Sequence, residues 1–162
     1  RIVDEDRGAV VRADQFEPAL GAFEMRQRRE VGPGSLPVAC ALARNGSKIT
    51  FDASTFDLRN SDAATVISLS SGLTLFDDNI GIDGSDRRVT LNGSAATSQS
   101  GFTLKNNGCR ISGLTILAFP RHGIQLQAGA KNNFIGGNRG AGLGPNGQGM
   151  RLSSNGIAGV NI

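Results

Sequence analysis

The sequence predicts an all-β fold, a parallel β-helix in which short strands wind in coils stacked one on the next. First, isoleucines followed two residues later by glycine recur after 29, 24 and 22 residues, at Ile82, Ile111, Ile135 and Ile157, although Leu152, 17 residues after Ile135, competes with Ile157 for the last position. Second, apolar residues alternate with polar ones in runs of about three residues, separated by Gly, Asn, Asp and Ser. Two or three such runs fall in each interval. This pattern favours coils over an antiparallel sandwich, which has longer strands joined by hairpins.

Residues 1–31 are expected to form a charged leader that is poorly ordered or loosely helical. The first 30 residues carry 13 of the 31 charged side chains of the chain. Phe16, Leu20 and Phe23 have helix-like spacing, but a proline and a glycine between them weaken the pattern.

Residues 32–47 are expected to form an N-terminal cap with one short helix. Ser35 is suited to the N-cap position, and Pro37 falls in the first turn, where a missing N–H does least harm. The apolar side of the helix is followed by Asn45 and Gly46, which predict its end.

Residues 48–162 are expected to form about four to five coils, cut off within a coil at the C-terminus, where residues 159–162 repeat the pattern of residues 113–116. Each predicted strand has one or two inward-facing apolar residues. These are Ile49 and Phe51, Ile67 and Leu69, Leu73 and Leu75, Ile80 and Ile82, Val89 and Leu91, Phe102 and Leu104, Cys109 and Ile111, Leu114 and Ile116, Ile124 and Leu126, Phe134 or Ile135, Met150 and Leu152, and Val160 and Ile162.

Residues 34–52 resemble the N-terminal cap of pectate-lyase-like right-handed parallel β-helix proteins, in which a Gly-Ser-Leu-led helix plugs the first coil and an Ile-x-Phe strand follows. Residues 80–84, 111–116, 122–126 and 132–138 look like successive coils of that superfamily. The resemblance covers residues 32–162. It implies a right-handed solenoid from a bacterial surface or secreted protein, located outside the cell or on its surface. It does not decide activity, because such coils occur both in polysaccharide lyases and hydrolases and in proteins with no known catalysis.

The resemblance raises the question of a calcium-dependent lyase site, which would need clustered carboxylates. No Asp or Glu follows Asp86 for 76 residues. Asp77, Asp78, Asp83 and Asp86 lie near predicted turns, where aspartates commonly accept hydrogen bonds from the backbone. We therefore assign no catalytic residue, metal site or cofactor, and calcium enters only if the chain belongs to an enzyme.

Three further side chains receive structural assignments. His122 is expected to be a solvated histidine at a coil corner, since no acid lies near it in the sequence. Cys40 and Cys109 are expected to be buried small hydrophobic residues and not a disulfide, redox site or metal site.

Asparagines precede several of the repeated isoleucines. Asn107, Asn133 and Asn155 are expected to form a hydrogen-bonded ladder at a coil corner, where sheet pairing leaves backbone groups free.

Residues 79–162 carry eight basic side chains against two aspartates, a local net charge of +6. Two interpretations stay open. The basic side chains are ordinary solvated surface residues that protect exposed coils from aggregation, or they line one face and bind an acidic polysaccharide. Nucleic acid is disfavoured because Trp and Tyr are absent, and no apolar run is long enough to span a membrane. The eight are Arg87, Arg88, Lys105, Arg110, Arg121, Lys131, Arg139 and Arg151.

Two functions follow as expectations. The favoured one is a non-catalytic segment of a bacterial surface or secreted β-helix protein, structural or binding anionic polysaccharide through a basic face. The alternative is part of a polysaccharide lyase or glycoside hydrolase whose active site lies partly in further C-terminal coils.

Overall fold

The computed structural model describes residues 22–25, as a strand, and residues 34–162. Most of the regular structure is short strands, with one α-helix (α1, Leu36–Leu42) and a 3₁₀ turn at Asp62–Thr65. The strands are β1 Ala22–Met25, β2 Lys48–Phe51, β3 Val66–Ser68, β4 Leu73–Leu75, β5 Gly81–Asp83, β6 Thr90–Asn92, β7 Phe102–Leu104, β8 Arg110–Ser112, β9 Thr115–Leu117, β10 His122–Leu126, β11 Phe134–Ile135, β12 Arg151–Ser153 and β13 Ala158–Asn161.

The strands form three sheets, and every pairing between them is parallel. Sheet A has the order β1-β2-β5-β8-β11, sheet B β12-β9-β6-β3 and sheet C β13-β10-β7-β4. From β2 onward the chain visits sheets A, B and C in strict rotation, completing four circuits. Such rotation is consistent with the predicted parallel β-helix.

The core lies between the three sheets and is built from stacked apolar side chains. In sheet A, Ile49 pairs with Ile82, Ile82 with Ile111, and Ile111 with Ile135. The first three are 0% exposed. Because alternate residues of a strand face opposite sides, the short apolar-polar-apolar runs place one face of each sheet in this core.

The helix α1 packs against β4 and β1 and buries Leu36, Ala39 and Cys40. Ser35 occupies the N-cap position, but its side chain makes no capping hydrogen bond, which differs from the expectation. Pro37 lies in the first turn, as expected.

Strand β1 lies inside the segment expected to be a poorly ordered or loosely helical leader, and for these four residues that expectation is wrong. Ala22–Met25 pairs in parallel with β2, from Ala22 opposite Lys48 to Met25 opposite Phe51. The backbone groups along the outer edge of β2 bind this strand, a partner that a sequence pattern does not reveal. The rest of residues 1–31, including Phe16 and Leu20, lies outside the described residues.

The prediction that Ile157 continues the column of repeated isoleucines is wrong. After Ile135 the chain forms a loop, enters sheet B with Leu152 opposite Ile116, and only then reaches Ile157, just before β13 of sheet C. Ile157 is 64% exposed. The prediction relied on the number of residues between isoleucines, which does not show how many sheets the chain has visited. The spacing of Ile157 resembles the earlier ones, but Ile157 lies next to sheet C and not in sheet A.

No helix among the described residues is long and apolar enough to cross a membrane.

Candidate functional site on the outer face of sheet A

The outer face of sheet A carries a column of residues that each immediately precede a stacked isoleucine. Lys48 pairs with Gly81, Gly81 with Arg110, and Arg110 with Phe134. We call these four residues the outer column. Because neighbouring strands lie about 4.8 Å apart, the Cα atoms of Lys48 and Arg110 are separated by roughly 10 Å, with Gly81 between them.

A cavity of about 390 Å³ opens at this glycine. Its polar lining includes the side chains of Lys48, Asp83, Arg110, Ser112 and Gln148. Its volume falls within the range of small-molecule sites, roughly 300 to 1,000 Å³. The missing side chain of Gly81 leaves a gap between two cations.

Asp83 is held firmly at one side of the cavity. Its Oδ1 accepts hydrogen bonds from the Ser85 hydroxyl at 2.6 Å, the Ser85 amide at 3.1 Å and the Ser112 hydroxyl at 3.3 Å. Its Oδ2 lies 3.1 Å from Lys48 Nζ. Burial raises the pKa of the Asp83 carboxyl, but the Ser85 hydrogen bonds and the Lys48 ammonium lower it further, so the pKa lies below its ordinary value.

Arg110 differs from Lys48 in having no such partner among residues 34–162. Its side chain is exposed, and no carboxylate of residues 34–162 forms an ion pair with its guanidinium. Its backbone N–H donates to the Ile80 carbonyl at 2.9 Å, so the strand position is fixed while the side chain faces solvent. Arg110 therefore supplies an available guanidinium beside the cavity.

The loop between β11 and β12 contributes Gln148 to the lining of the cavity. It folds back over earlier coils: the Gly144 amide donates to the Ser85 carbonyl at 2.7 Å, and the Leu143 amide donates to Asp86 Oδ1 at 3.0 Å. A Cβ at Gly144 would lie 2.4 Å from the Arg87 carbonyl oxygen, so only glycine allows this approach. The glycines of this loop thus serve close packing against the coils.

The corner leading into sheet A repeats a left-handed backbone position in every coil. Gly46, Asn79, Gly108 and Asn132 each lie three residues before a stacked isoleucine and have φ values of +80°, +57°, +69° and +56°. Gly and Asn adopt this conformation at the least cost. Gly and Asn therefore recur at this position because the backbone there has a positive φ.

Asparagine side chains at the same corner bind the backbone of the neighbouring coil. Asn107 Oδ1 accepts the Lys131 amide at 2.8 Å. Asn133 Oδ1 accepts the Cys109 amide at 2.8 Å, and its Nδ2 donates to the Asn106 carbonyl at 2.9 Å.

Asn155 does not belong to this ladder, which corrects its predicted place. It lies between β12 and β13, where its Oδ1 accepts the Phe119 amide at 3.1 Å and its Nδ2 donates to the Ile116 carbonyl at 3.3 Å. It bridges backbone groups as the other two asparagines do, but at the corner between sheets B and C. The misplaced Ile157 repeat is the cause of this error.

The eight basic residues do not share one face. Arg110 begins β8 in sheet A, whereas Arg151 begins β12 in sheet B. The other six lie in connections around all three corners: Arg87, Arg88 and Arg139 between sheets A and B, Arg121 between B and C, and Lys105 and Lys131 between C and A. The local net charge could not reveal this distribution, because it carries no information on which sheet each residue reaches.

Aspartates near the turns hold backbone groups. Asp78 Oδ1 accepts the Asn107 amide at 2.8 Å, and Asp86 and Asp83 accept the amides of Leu143 and Ser85. Within residues 22–25 and 34–162, no group of three or more His, Cys, Asp or Glu side chains is arranged to hold a metal ion.

His122 is buried, so its prediction as a solvated turn residue is wrong. It is 5% exposed and begins β10, two residues before Ile124, so strand alternation turns it to the side of the core. Its Nδ1 has no hydrogen-bond partner in the described structure.

The prediction that both cysteines are buried and not joined in a disulfide is confirmed. Cys40 and Cys109 are buried and unpaired. Burial raises the pKa of Cys40 to about 12 and also raises the pKa of Cys109. Neither thiol is activated by its surroundings.

No protein-family model matches the chain, and no curated protein or solved structure shows significant similarity to it.

Sequence reasoning missed most of the outer column. Only Arg110 was among the predicted binding residues, while Lys48, Gly81 and Phe134 were not. A signal was present, because each lies immediately before a repeated isoleucine of sheet A. Comparing the residues at this one position along the repeat would have found the outer column.

Proposed function

We propose that the chain is a non-catalytic segment of a right-handed, pectate-lyase-like β-helix protein, of the bacterial surface or secreted type, that binds an anionic polysaccharide. The parallel sheets visited in rotation support the fold part of this proposal. The right hand agrees with the handedness of nearly all parallel crossovers.

The observation that carries the binding proposal is the outer column with its cavity. Two cations flank a glycine gap, and Phe134 continues the column at 61% exposure. Hydroxyl and amide groups of Ser112 and Gln148 lie at the cavity. Polar groups, a cation and an apolar ring together suit a charged sugar, and the row of strands gives a polymer a direction to follow.

The enzyme alternative has less support at this cavity. Glycoside hydrolysis ordinarily uses two carboxyl groups, and Asp83 is the one carboxylate on the described lining. Its oxygens are engaged by Ser85, Ser112 and Lys48. A depressed pKa also makes Asp83 a poor general acid or base near neutral pH.

The test measures binding of the 162-residue chain to polygalacturonate, with dextran as the neutral polymer. Arg110→Ser is compared with Arg151→Ser, which removes the same charge from the exposed first residue of β12 in sheet B. We expect Arg110→Ser to weaken binding at least tenfold and Arg151→Ser to change it less than twofold.

Equal losses in the two variants would show attraction by overall charge and would overturn the outer column as the site. Absence of binding by the unchanged protein would overturn the function. The same mixtures, supplied with calcium, are monitored for absorbance of unsaturated products. Product formation that a chelator abolishes would favour the lyase alternative over the proposal.

A further inference from the structure

We infer that Asn45 and Gly46 form a site of spontaneous covalent modification, at which the asparagine amide converts to an acid, while the coils protect the four other Asn-Gly pairs of the chain. The inference involves no ligand and is independent of the proposed function. The other pairs are Asn92-Gly93, Asn107-Gly108, Asn146-Gly147 and Asn155-Gly156.

The chemistry follows from the two residue types. The glycine nitrogen loses its proton and bonds to Cγ of the preceding asparagine, and the side-chain nitrogen leaves as ammonia, so that a five-membered imide forms. Water then opens the imide at one of its two carbonyls and gives aspartate or isoaspartate, without any oxidation or reduction. Glycine favours the attack because it has no Cβ to shield its nitrogen.

The hydrogen bond of the glycine amide opposes this reaction, because the nitrogen has to turn toward Cγ. In all five pairs the glycine N–H donates to a backbone carbonyl. The N···O distance is 3.3 Å for Gly46, which donates to Asp78, and 2.8 to 3.0 Å for the other four glycines. Gly46 therefore has the longest and weakest of the five bonds.

The space around the glycine separates Gly46 more clearly from the others. A Cβ built on Gly46 meets no atom of the described residues within 4 Å. On each of the other four glycines it would lie 2.1 to 2.3 Å from a neighbouring atom. Close packing of this kind opposes the rotation that the attack requires. The neighbouring atoms belong to the Phe119 ring at Gly93, the Asn79 side chain at Gly108, the Arg139 carbonyl at Gly147 and the Pro120 carbonyl at Gly156.

The Asn45 side chain is also held less firmly than the other four. It is exposed, and its Oδ1 accepts a hydrogen bond at 2.9 Å from the exposed side chain of Asn79. Either side chain can break this bond by rotating about its own single bonds. The other asparagines accept backbone amides, at Asn92, Asn107 and Asn155, or are buried, at Asn146.

The modification would alter the turn that joins α1 to β2. The Ser47 amide donates to the Arg44 carbonyl at 2.8 Å and closes this turn around Asn45 and Gly46. Isoaspartate carries the main chain through Cγ and so inserts one extra carbon between these two residues. The lengthened turn can no longer keep both this bond and the Gly46 bond in their present geometry.

The experiment incubates the 162-residue chain at mildly alkaline pH, folded and in urea that unfolds it. Peptide mass spectrometry measures the fraction of each Asn-Gly pair that has gained the mass of an acid, and circular dichroism monitors folding. In urea we expect all five pairs to react at similar rates, since no structure protects them. In the folded protein Asn45 should react at least about tenfold faster than any other pair, because local opening is easiest there.

Two variants test the cause. Asn79→Gly removes the side chain that holds Asn45 and suits the positive φ of that position. We expect it to speed the reaction of Asn45 about threefold, as the loss of one exposed hydrogen bond implies, and to leave Asn92, Asn146 and Asn155 unchanged. Asn45→Gln is the control, because its longer side chain cannot form the five-membered ring and should stay unmodified.

The inference is overturned if another Asn-Gly pair reacts as fast as Asn45 in the folded protein. It is equally overturned if Asn45 stays unmodified in the folded protein while all five pairs react in urea.

Discussion

The two faces of sheet A differ in how they use the same strands. On the inner face Ile49, Ile82, Ile111 and Ile135 repeat one residue type in every coil. On the outer face the paired positions, one residue earlier, are lysine, glycine, arginine and phenylalanine. Stacking identical side chains fills a core of constant width, so repetition marks stability. The outer positions face solvent, so the fold does not require one residue type there. Their differences from coil to coil therefore indicate a surface that can be adapted to bind a ligand.

The largest expected effect comes from interrupting the inner face. Ile111→Ala removes a fully buried side chain that is paired with Ile82 on one side and Ile135 on the other. We expect a loss of about 3 kcal/mol in the free energy of unfolding, because the loss of buried area is accompanied by a cavity. Urea unfolding followed by circular dichroism measures it.

Ile135→Ala is the matched control in the last coil. Ile135 is only partly buried against the core, so its truncation should cost about 1 to 2 kcal/mol. An equal loss in the free energy of unfolding at the two positions would contradict the view that the contribution of an isoleucine depends on how deeply it is buried in the stack.

A smaller effect on stability is expected from Asp83→Asn on the outer face. The folded-state pKa of Asp83 is below the ordinary 3.8, so its stabilising contribution is present above that value and is lost as the pH falls through the folded-state pKa. We expect Asp83→Asn to lower stability by about 1 kcal/mol at pH 7, since the pair with Lys48 is partly exposed. Thermal unfolding from pH 7 down to pH 2 should show the two proteins converging below about pH 4. A constant difference over the whole range would mean that the carboxylate charge contributes nothing.

The sequence predicted the strands well because period-two alternation survives even in runs of three residues. It also predicted Ile82, Ile111 and Ile135 as equivalent, which the pairings confirm. It failed at Ile157, because the loop between β11 and β12 changes the number of residues per coil. Register in a solenoid depends on loop lengths that residue patterns do not encode.

The candidate site was predicted only through Arg110. Counting cations along the chain ignores the rotation through three sheets, which sends Arg151 and Arg121 away from Arg110. The prediction that His122 is solvated was wrong for a related reason. Its neighbours in the sequence suggested a turn, whereas its place two residues before Ile124 puts it on the buried side of β10. Polar chemistry becomes predictable in this fold only after each residue has been assigned to a sheet and a face.

The smallest effect on stability, and the sharpest separation of the two faces, is expected at Gly81. Its φ is not left-handed and an added Cβ meets nothing closer than Lys48 Cγ at 3.9 Å, so Gly81→Ala should keep or raise stability, by up to about 0.5 kcal/mol. The methyl group nevertheless enters the gap between Lys48 and Arg110 and should weaken oligogalacturonate binding several-fold. Gly113→Ala provides the contrast, because φ is +75° and its Cβ would lie 2.2 Å from the Ser85 amide nitrogen. If Gly81→Ala loses as much stability as Gly113→Ala, then this glycine is required by the coil and not by a ligand, and the variation along the outer column loses its functional meaning.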